Sequence, residues 1–310
     1  MSFAGTLCLV LMAAYGLASL LLTIALAGVW YSRLERRRAA ARELFALRLL
    51  PSAGAAILTV TVVLPAFLIY EPIHESEQAG PLLLVLVLVA VAVVGHGISR
   101  GWRAYAAAAA LLRVCGAPDR GALPGKPTVQ LVDVQEPIVA VVGAWRPRIL
   151  AARCVSLACD AEEFRQIVAH EAAHVASHDN LKLLLLLASP DALAWMPAGH
   201  ALIARWRAAA ELEADAAATG ADPHKRVALA SALIKVARLL TGVEFPALCM
   251  PVAFDDVQGR VRRLLAPPSR SPETLDEDWL MTGVLSIAVL AVPLYDRVQE
   301  LLEAMVAFGR

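Results

Sequence analysis

The chain has 310 residues, of which 59% are hydrophobic, and its mean hydropathy is +0.62. This apolar share exceeds that of ordinary soluble domains and indicates an integral membrane protein in contact with a lipid bilayer. The formal net charge is zero, so direct nucleic-acid binding is not expected, and five scattered cysteines do not describe a disulfide framework.

Four stretches are long and apolar enough to cross a bilayer. The first covers about residues 6–31, and it is too long and too poor in basic residues for a cleaved signal, so it is predicted to be a retained anchor. The second covers about residues 49–70, with a kink expected at Pro65, and the third about 81–98. The fourth covers about residues 279–295 and has aromatic residues at both ends, as is typical at membrane interfaces.

Charge asymmetry predicts the orientation of these spans. Between the first and second spans lie six arginines: Arg33, Arg36, Arg37, Arg38, Arg42 and Arg48. The next loop carries Glu71, Glu75 and Glu77 and no lysine or arginine. The positive-inside rule therefore places the arginine loop in the cytoplasm. The sequence predicts a multi-pass protein of a bacterial-type inner membrane, with membrane region 1–98, cytoplasmic domain 99–278, and a last span with an outer tail over 279–310.

Three short segments with period-two patterning follow the third span. Residues 128–133, 138–143 and 148–152 are predicted to be strands, separated by turns that contain Pro137 and Pro147. An edge strand of such a small sheet can bind an extended peptide through main-chain hydrogen bonds.

The next pattern is His170-Glu-Ala-Ala-His174. Asp160 is a suitable helix N-cap with Glu163 three residues later, so the box is predicted to lie on a helix. Residues four apart share a helix face, so both imidazoles can bind one zinc ion, and Glu171 can take a proton from metal-bound water. The alternative is an amphipathic helix with two incidental histidines.

The strongly apolar segment 181–204 is interrupted by Pro190, Asp191 and Pro197. It is interpreted as a helical hairpin or a membrane-dipping element that joins two metal-binding helices, and the alternative is a buried core helix.

A third ligand is expected from Glu211-Leu-Glu-Ala-Asp215 in an alanine-rich helix over about 205–219. Glu211 can supply a carboxylate ligand, and Asp215, one turn later, can orient a ligand imidazole. Glu213 is rotated by about 200° from Glu211 and should point elsewhere. Taken alone, the motif also fits a solvated acidic face. An extended histidine box is excluded because position 180 is Asn180.

Several motifs resemble the membrane peptidase family of the beta-lactam sensor-transducers, of the BlaR/MecR type. They are Gly143-Ala-Trp-Arg-Pro-Arg-Ile149, the HEAAH helix, His178-Asp-Asn-Leu181, Glu211-Leu-Glu-Ala-Asp215 and Arg260-Val-Arg-Arg-Leu-Leu265. The resemblance implies zinc ligands at His170, His174 and Glu211, a catalytic base at Glu171 and a supporting role for Asp215. Asp179 falls where related sequences often carry an acidic residue.

The chain departs from those sensor-transducers because only about fifteen residues follow Tyr295, which leaves no room for their outer penicillin-binding domain. The predicted fold class is therefore a mainly α integral membrane protein with about four transmembrane helices and a cytoplasmic α+β, gluzincin-like HExxH zinc protease domain.

The predicted function is zinc-dependent cleavage of a cytoplasmic protein, either a transcriptional repressor or the protease itself, in signal transduction. One alternative is an HtpX-like quality-control protease or a prenyl-peptide protease, and another is a catalytically inert signalling protein. Self-association into a homo-oligomer is left open.

Overall fold

The structure is a computed structural model that describes residues 3–30, 39–70, 80–115, 129–134, 136–239 and 256–266. The chain divides into two compact units. The described part of the first lies within Met1–Arg100 and Ala188–Ile203, and that of the second within Gly101–Leu187 and Ala204–Pro272. The domain boundaries predicted from the sequence stay a prediction.

Three helices are long and apolar enough to cross a membrane: Phe3–Val29, Ala41–Ile69 and Pro81–Val114. They confirm the first three predicted spans, whereas the fourth, at 279–295, lies outside the described residues. Leu21, Val60 and Leu88 on these helices are 59%, 60% and 68% exposed. Large apolar side chains that face outward in this way are suited to contact with lipid.

The helices of the first unit are α1 (Phe3–Val29), α2 (Ala41–Leu58), α3 (Leu64–Tyr70) and α4 (Pro81–Val114). A π-helical turn over Thr59–Val63 connects α2 to α3. The sequence predicts a kink at Pro65, whereas the π-helical turn begins about a turn and a half earlier, at Thr59. Proline cannot donate to the preceding turn and its ring crowds the carbonyl four residues back, so a widened turn ahead of it relieves the clash.

The interrupted apolar segment forms two helices with a break between them. α7 (Asp179–Ala188) ends before Pro190, a 3-10 turn covers Ala192–Trp195, and α8 (Pro197–Thr219) begins at the second proline. α4 approaches this break so closely that a Cβ on Gly97 would lie 2.7 Å from the Ala188 carbonyl oxygen. Its depth in a membrane remains a prediction.

One buried polar cluster holds this break in place, and we call it the Arg48 cluster. Arg48 Nη1 lies 2.7 Å from Asp191 Oδ2, and both side chains are fully buried. Ser189 donates to Asp191, and Ser52 Oγ lies 2.7 Å from Ser189 Oγ. The prediction that Arg42 and Arg48 lie between the first two spans is therefore wrong, because both lie on α2. Arg48 is buried there, and Asp191 supplies its counter-charge.

The second unit contains a three-stranded sheet formed by β1 (Val129–Val132), β2 (Val139–Val142) and β3 (Arg148–Ala152). The order is β1-β3-β2, with β1 parallel and β2 antiparallel to β3. All three predicted strands are present, with ends that differ by at most one residue. β2 lies at an edge of this sheet.

The helices that complete the second unit are α5 (Arg153–Ala158), α6 (Ala161–Ala176), α9 (Pro223–Leu239) and α10 (Val257–Leu265), together with parts of α4, α7 and α8. α6 begins at the predicted capping box, in which Asp160 and Glu163 bind each other's backbone N–H groups. Ser231 and Lys235 of α9 also donate to Glu163. These contacts fix the start of the helix that carries the HEAAH box.

Candidate metal centre

The structure brings the three predicted ligands together. His170 and His174 lie one turn apart on α6, and Glu211 reaches them from α8. The two Nε2 atoms are 3.2 Å apart, while Glu211 Oε2 lies 3.3 Å from His170 Nε2 and Oε1 lies 3.5 Å from His174 Nε2. Tetrahedral zinc, with ligand bonds of 2.0–2.1 Å, separates its donor atoms by about 3.3 Å. The spacing of these atoms therefore fits a tetrahedral metal ion.

Each imidazole is oriented by a carboxylate on its other nitrogen. His170 Nδ1 lies 3.0 Å from Asp215 Oδ1, and His174 Nδ1 lies 2.7 Å from Asp179 Oδ2. A proton held on Nδ1 by such a carboxylate leaves the Nε2 lone pair available to a metal. Asp215 thus lies where the sequence predicts a residue that orients a ligand imidazole.

The contact of Asp179 with His174 was not predicted from residue spacing. His178, with φ of 55°, reverses the chain directly after α6, so that Asp179 at the start of α7 faces the box. The left-handed backbone of His178 between α6 and α7 causes this contact of Asp179 with His174, and a φ value cannot be read from the sequence. His178 itself is exposed and lies away from the ligand atoms.

Glu171 lies beside the edge strand of the sheet. Its Oε2 accepts a hydrogen bond of 3.1 Å from the Val141 N–H, and Asn180 Nδ2 donates to the carbonyls of Val141 and Gly143. Burial raises the pKa of Glu171 above its ordinary value, although His170 and His174 oppose this shift. A carboxylate with a raised pKa is a better proton acceptor, as a general base requires.

Arg260 of α10 enters the same site from a distant part of the sequence. Its side chain is almost fully buried, and its Nη1 lies 2.7 Å from Glu211 Oε2. The same guanidinium makes two hydrogen bonds to Asp215: Nε donates to Oδ2 at 2.9 Å, and Nη2 donates to Oδ1. In the sequence, Arg260 appears only within a motif that carries the family resemblance, and no role was predicted for it.

Glu211 keeps bonding capacity for a further partner. Its Oε2 is buried and accepts no aligned hydrogen bond, although Arg260 Nη1 is close enough for an ion pair. A buried carboxylate oxygen in this condition is destabilising unless something else binds it. A metal ion between Glu211 and the two Nε2 atoms would satisfy it.

The charges of the site are unequal. Among the described residues, four carboxylates, Glu171, Asp179, Glu211 and Asp215, lie near two cations that form ion pairs with them, Arg260 and Lys182. When both imidazoles are neutral, these groups carry two more negative than positive charges. A bound divalent cation would balance this deficit, so the donor set and the charge both fit Zn²⁺.

Hydrogen bonds with the surrounding carboxylates favour the protonated form of both imidazoles. Burial alone would lower the pKa of His174, but hydrogen bonds with Asp179 and Glu211 outweigh it and raise the pKa to about 10. Burial likewise opposes ionisation of Glu211, but the close approach of His170 and His174, together with the charge of Arg260, holds its pKa below its ordinary value. Any metal that binds here must displace these protons.

Glu213 and two cysteines near α6 do not belong to the candidate metal centre. Glu213 is exposed on α8, as its helix phase predicts. Cys154 and Cys159 pack against an apolar cluster that includes Val155 and Ile167.

Two imidazoles and a carboxylate around one point, beside a glutamate that can act as a base, are typical of metal-dependent hydrolases. A family model described as BlaR1 peptidase M56 matches residues 74–264, which is more than half of the chain, and the chain belongs to this family of membrane peptidases. No curated protein and no solved structure matches the chain. The assignment of individual ligands and of the base stays a prediction.

Proposed function

We propose that the protein is a membrane-embedded zinc endopeptidase with a gluzincin-like site. The observation that carries the proposal is the cluster of His170, His174 and Glu211, whose donor atoms lie within 4.8 Å of one another beside Glu171. Zinc bound there would lower the pKa of a water molecule and polarise the peptide carbonyl.

The chain's own residues supply the proton transfers. The Val141 N–H holds Glu171 Oε2, so we assign proton transfer to Oε1. Glu171 takes a proton from the attacking water and returns it to the amine that leaves. Asp215 and Asp179 keep the two imidazoles turned toward the metal.

The proposed substrate is an extended peptide segment. β2 is an edge strand of the described sheet, and its Val141 N–H contacts the proposed base. An extended segment that replaces the contacts of Glu171 and Asn180 with β2 would therefore pass beside Glu171. Folded proteins without an exposed loop should resist cleavage, because they present no extended segment.

For the cellular role we propose limited proteolysis of a cytoplasmic transcriptional repressor, or of the protease itself, in signal transduction. We place the protein in a bacterial-type inner membrane with four spans and the active site on the cytoplasmic side. The three apolar helices support the membrane location, and the arginine-rich first loop supports the orientation. Direct nucleic-acid contact is not part of this proposal, and self-association is open.

Glu171→Gln tests the chemistry. The variant should keep its zinc, because Glu171 is not a ligand, and should cleave an extended fluorogenic peptide about 10²- to 10⁴-fold more slowly. Full activity in this variant would rule out the proposed base, and loss of zinc would make Glu171 a ligand.

A comparison of protein termini in cells with wild-type and Glu171→Gln enzyme tests the role. One dominant cut in a DNA-binding regulator or in the protease supports signalling. Many cuts in misfolded membrane proteins would favour the quality-control alternative, and an absence of cuts together with an absence of peptide cleavage would favour the inert one.

Cysteine labelling tests the orientation. After removal of the native cysteines, a cysteine placed at Glu75 should react with an impermeant thiol reagent outside intact cells. One placed at Arg37 should react only after lysis. The reverse pattern would put the active site on the outer side.

A further inference from the structure

We propose that Arg260 is a positioning residue of the candidate metal centre, and that one guanidinium sets the geometry of both the carboxylate ligand and the carboxylate that orients His170. This inference rests on the proposed zinc site. Nothing in the family comparison assigns a role to this arginine.

The first part of the role is to fix Asp215. Arg260 donates hydrogen bonds to both oxygens of this carboxylate, from Nε to Oδ2 and from Nη2 to Oδ1. A paired contact of this kind sets the carboxylate plane, which a single hydrogen bond would leave free to turn. Oδ1 is thereby held 3.0 Å from His170 Nδ1.

The second part is to fix Glu211. The third guanidinium nitrogen, Nη1, lies 2.7 Å from Glu211 Oε2, the oxygen that is 3.3 Å from His170 Nε2. Glu211 and Asp215 are one turn apart on α8, so their like charges repel in a buried site. A planar cation between them offsets this repulsion and holds both side chains in one arrangement.

Arg260 acts from behind the ligands and not on a substrate. Its residue is only 2% exposed, so a peptide that enters from solvent does not reach it. Its Nη2 lies 3.5 Å from His170 Nδ1 and 3.4 Å from His170 Nε2, so it packs against the edge of the imidazole between the two nitrogens. This separates a positioning role from stabilisation of charge on the substrate.

The position of Arg260 is maintained by independent packing of α10. The helix begins at Asp256, whose side chain accepts from the Gly259 N–H. Leu264, one turn after Arg260, lies in an apolar cluster with Leu229 and Leu233 of α9. The helix should therefore stay in place when the arginine side chain is changed.

The test uses full-length protein in lipid nanodiscs and compares Arg260→Gln, Arg260→Lys and the control Arg262→Gln. Arg262 lies on the exposed side of the same helix. Zinc affinity is measured by chelator competition, and Co²⁺ in place of zinc reports ligand geometry through its visible absorption. Thermal unfolding of the metal-free proteins checks the fold.

Arg260→Gln should weaken zinc binding about 10- to 100-fold and change the cobalt spectrum. Arg260→Lys should recover only part of the affinity, because one ammonium keeps the charge but cannot contact both carboxylates as the planar fork does. Arg262→Gln should behave as wild type. A purely structural role would lower the unfolding temperature without altering the cobalt spectrum of the folded fraction.

Wild-type zinc affinity and cobalt spectrum in Arg260→Gln would overturn the inference and leave the proposed function standing. If Arg260→Gln does not fold, Arg260→Lys decides, and wild-type values in that variant would overturn the inference. A wild-type protein that binds no zinc would overturn the proposed function itself.

Discussion

Two buried polar clusters, one in each unit of the protein, differ in their charge balance. In the Arg48 cluster one arginine meets one carboxylate, Asp191, and serines supply the other hydrogen bonds. At the candidate metal centre four carboxylates meet two cations. Among the described residues named here, the charges of the first cluster balance, whereas the second has two more negative than positive charges.

This difference separates a structural cluster from a candidate binding site. Burial of a charge is unfavourable unless it is paired, so a cluster that stays unbalanced implies a missing cation or added protons. The Arg48 cluster should therefore affect stability alone. The metal centre should affect metal binding and chemistry, with smaller effects on stability.

The largest expected effect is at the third ligand. Glu211→Ala removes one of three protein donors, so the purified protein should contain little zinc and should show only background peptide cleavage. Glu213 is two residues away and exposed, so Glu213→Ala should keep its zinc and its peptide cleavage. The reverse result in metal analysis would move the ligand by two residues and remove the proposed role of Asp215.

Arg48→Met should destabilise the protein by about 3–5 kcal/mol, because it leaves Asp191 as an unpaired buried charge. The double variant Arg48→Met/Asp191→Leu removes both charges and should recover most of this loss. Thermal unfolding in detergent measures both variants, with Arg262→Met, an exposed arginine of α10, as the control. An Arg48→Met protein as stable as wild type would contradict the structural role of the cluster.

Asp179→Asn should weaken zinc binding about 10- to 100-fold, because the carboxylate that orients His174 is lost while the ligands remain. Chelator competition gives the dissociation constant, and Asp160→Asn, which keeps a helix N-cap at α6, is the control. Unchanged zinc affinity in Asp179→Asn would show that His174 binds zinc without orientation by the Asp179 carboxylate.

The smallest effect, counted for each pH unit, concerns the proton on His174. The pKa of His174 is raised to about 10 in the metal-free site, so this imidazole is protonated at pH 7 and must lose its proton to bind zinc. Zinc affinity should therefore rise as pH rises toward that value, by about tenfold per pH unit for each proton released. A pH-independent affinity between pH 6 and 9 would show that the metal-free site holds no such proton.

The two clusters also differ in how far the sequence predicts them. The metal centre depends on helix phase: residues four apart on α6 and on α8 share a face, so His170, His174, Glu211 and Asp215 could be grouped from spacing alone. The first three spans and the strands could likewise be predicted, because hydropathy and period-two patterns are local signals.

The contacts of both arginines could not be predicted. Arg48 and Asp191 are 143 residues apart, and Arg260 and Asp215 are 45 apart, so tertiary packing and not helix phase brings each pair together. Arginines near a predicted span end also resemble loop charges, which is why Arg48 was placed in the cytoplasmic loop.

X-ray absorption at the zinc edge of the wild-type protein tests the central claim most directly. We expect about one zinc per chain, with two imidazole nitrogens and oxygen donors at about 2.0–2.1 Å. The signal should be lost in Glu211→Ala and kept in Glu171→Gln. A protein without zinc, or a sulfur shell at about 2.3 Å that indicates cysteine ligands, would contradict the assignment of this centre.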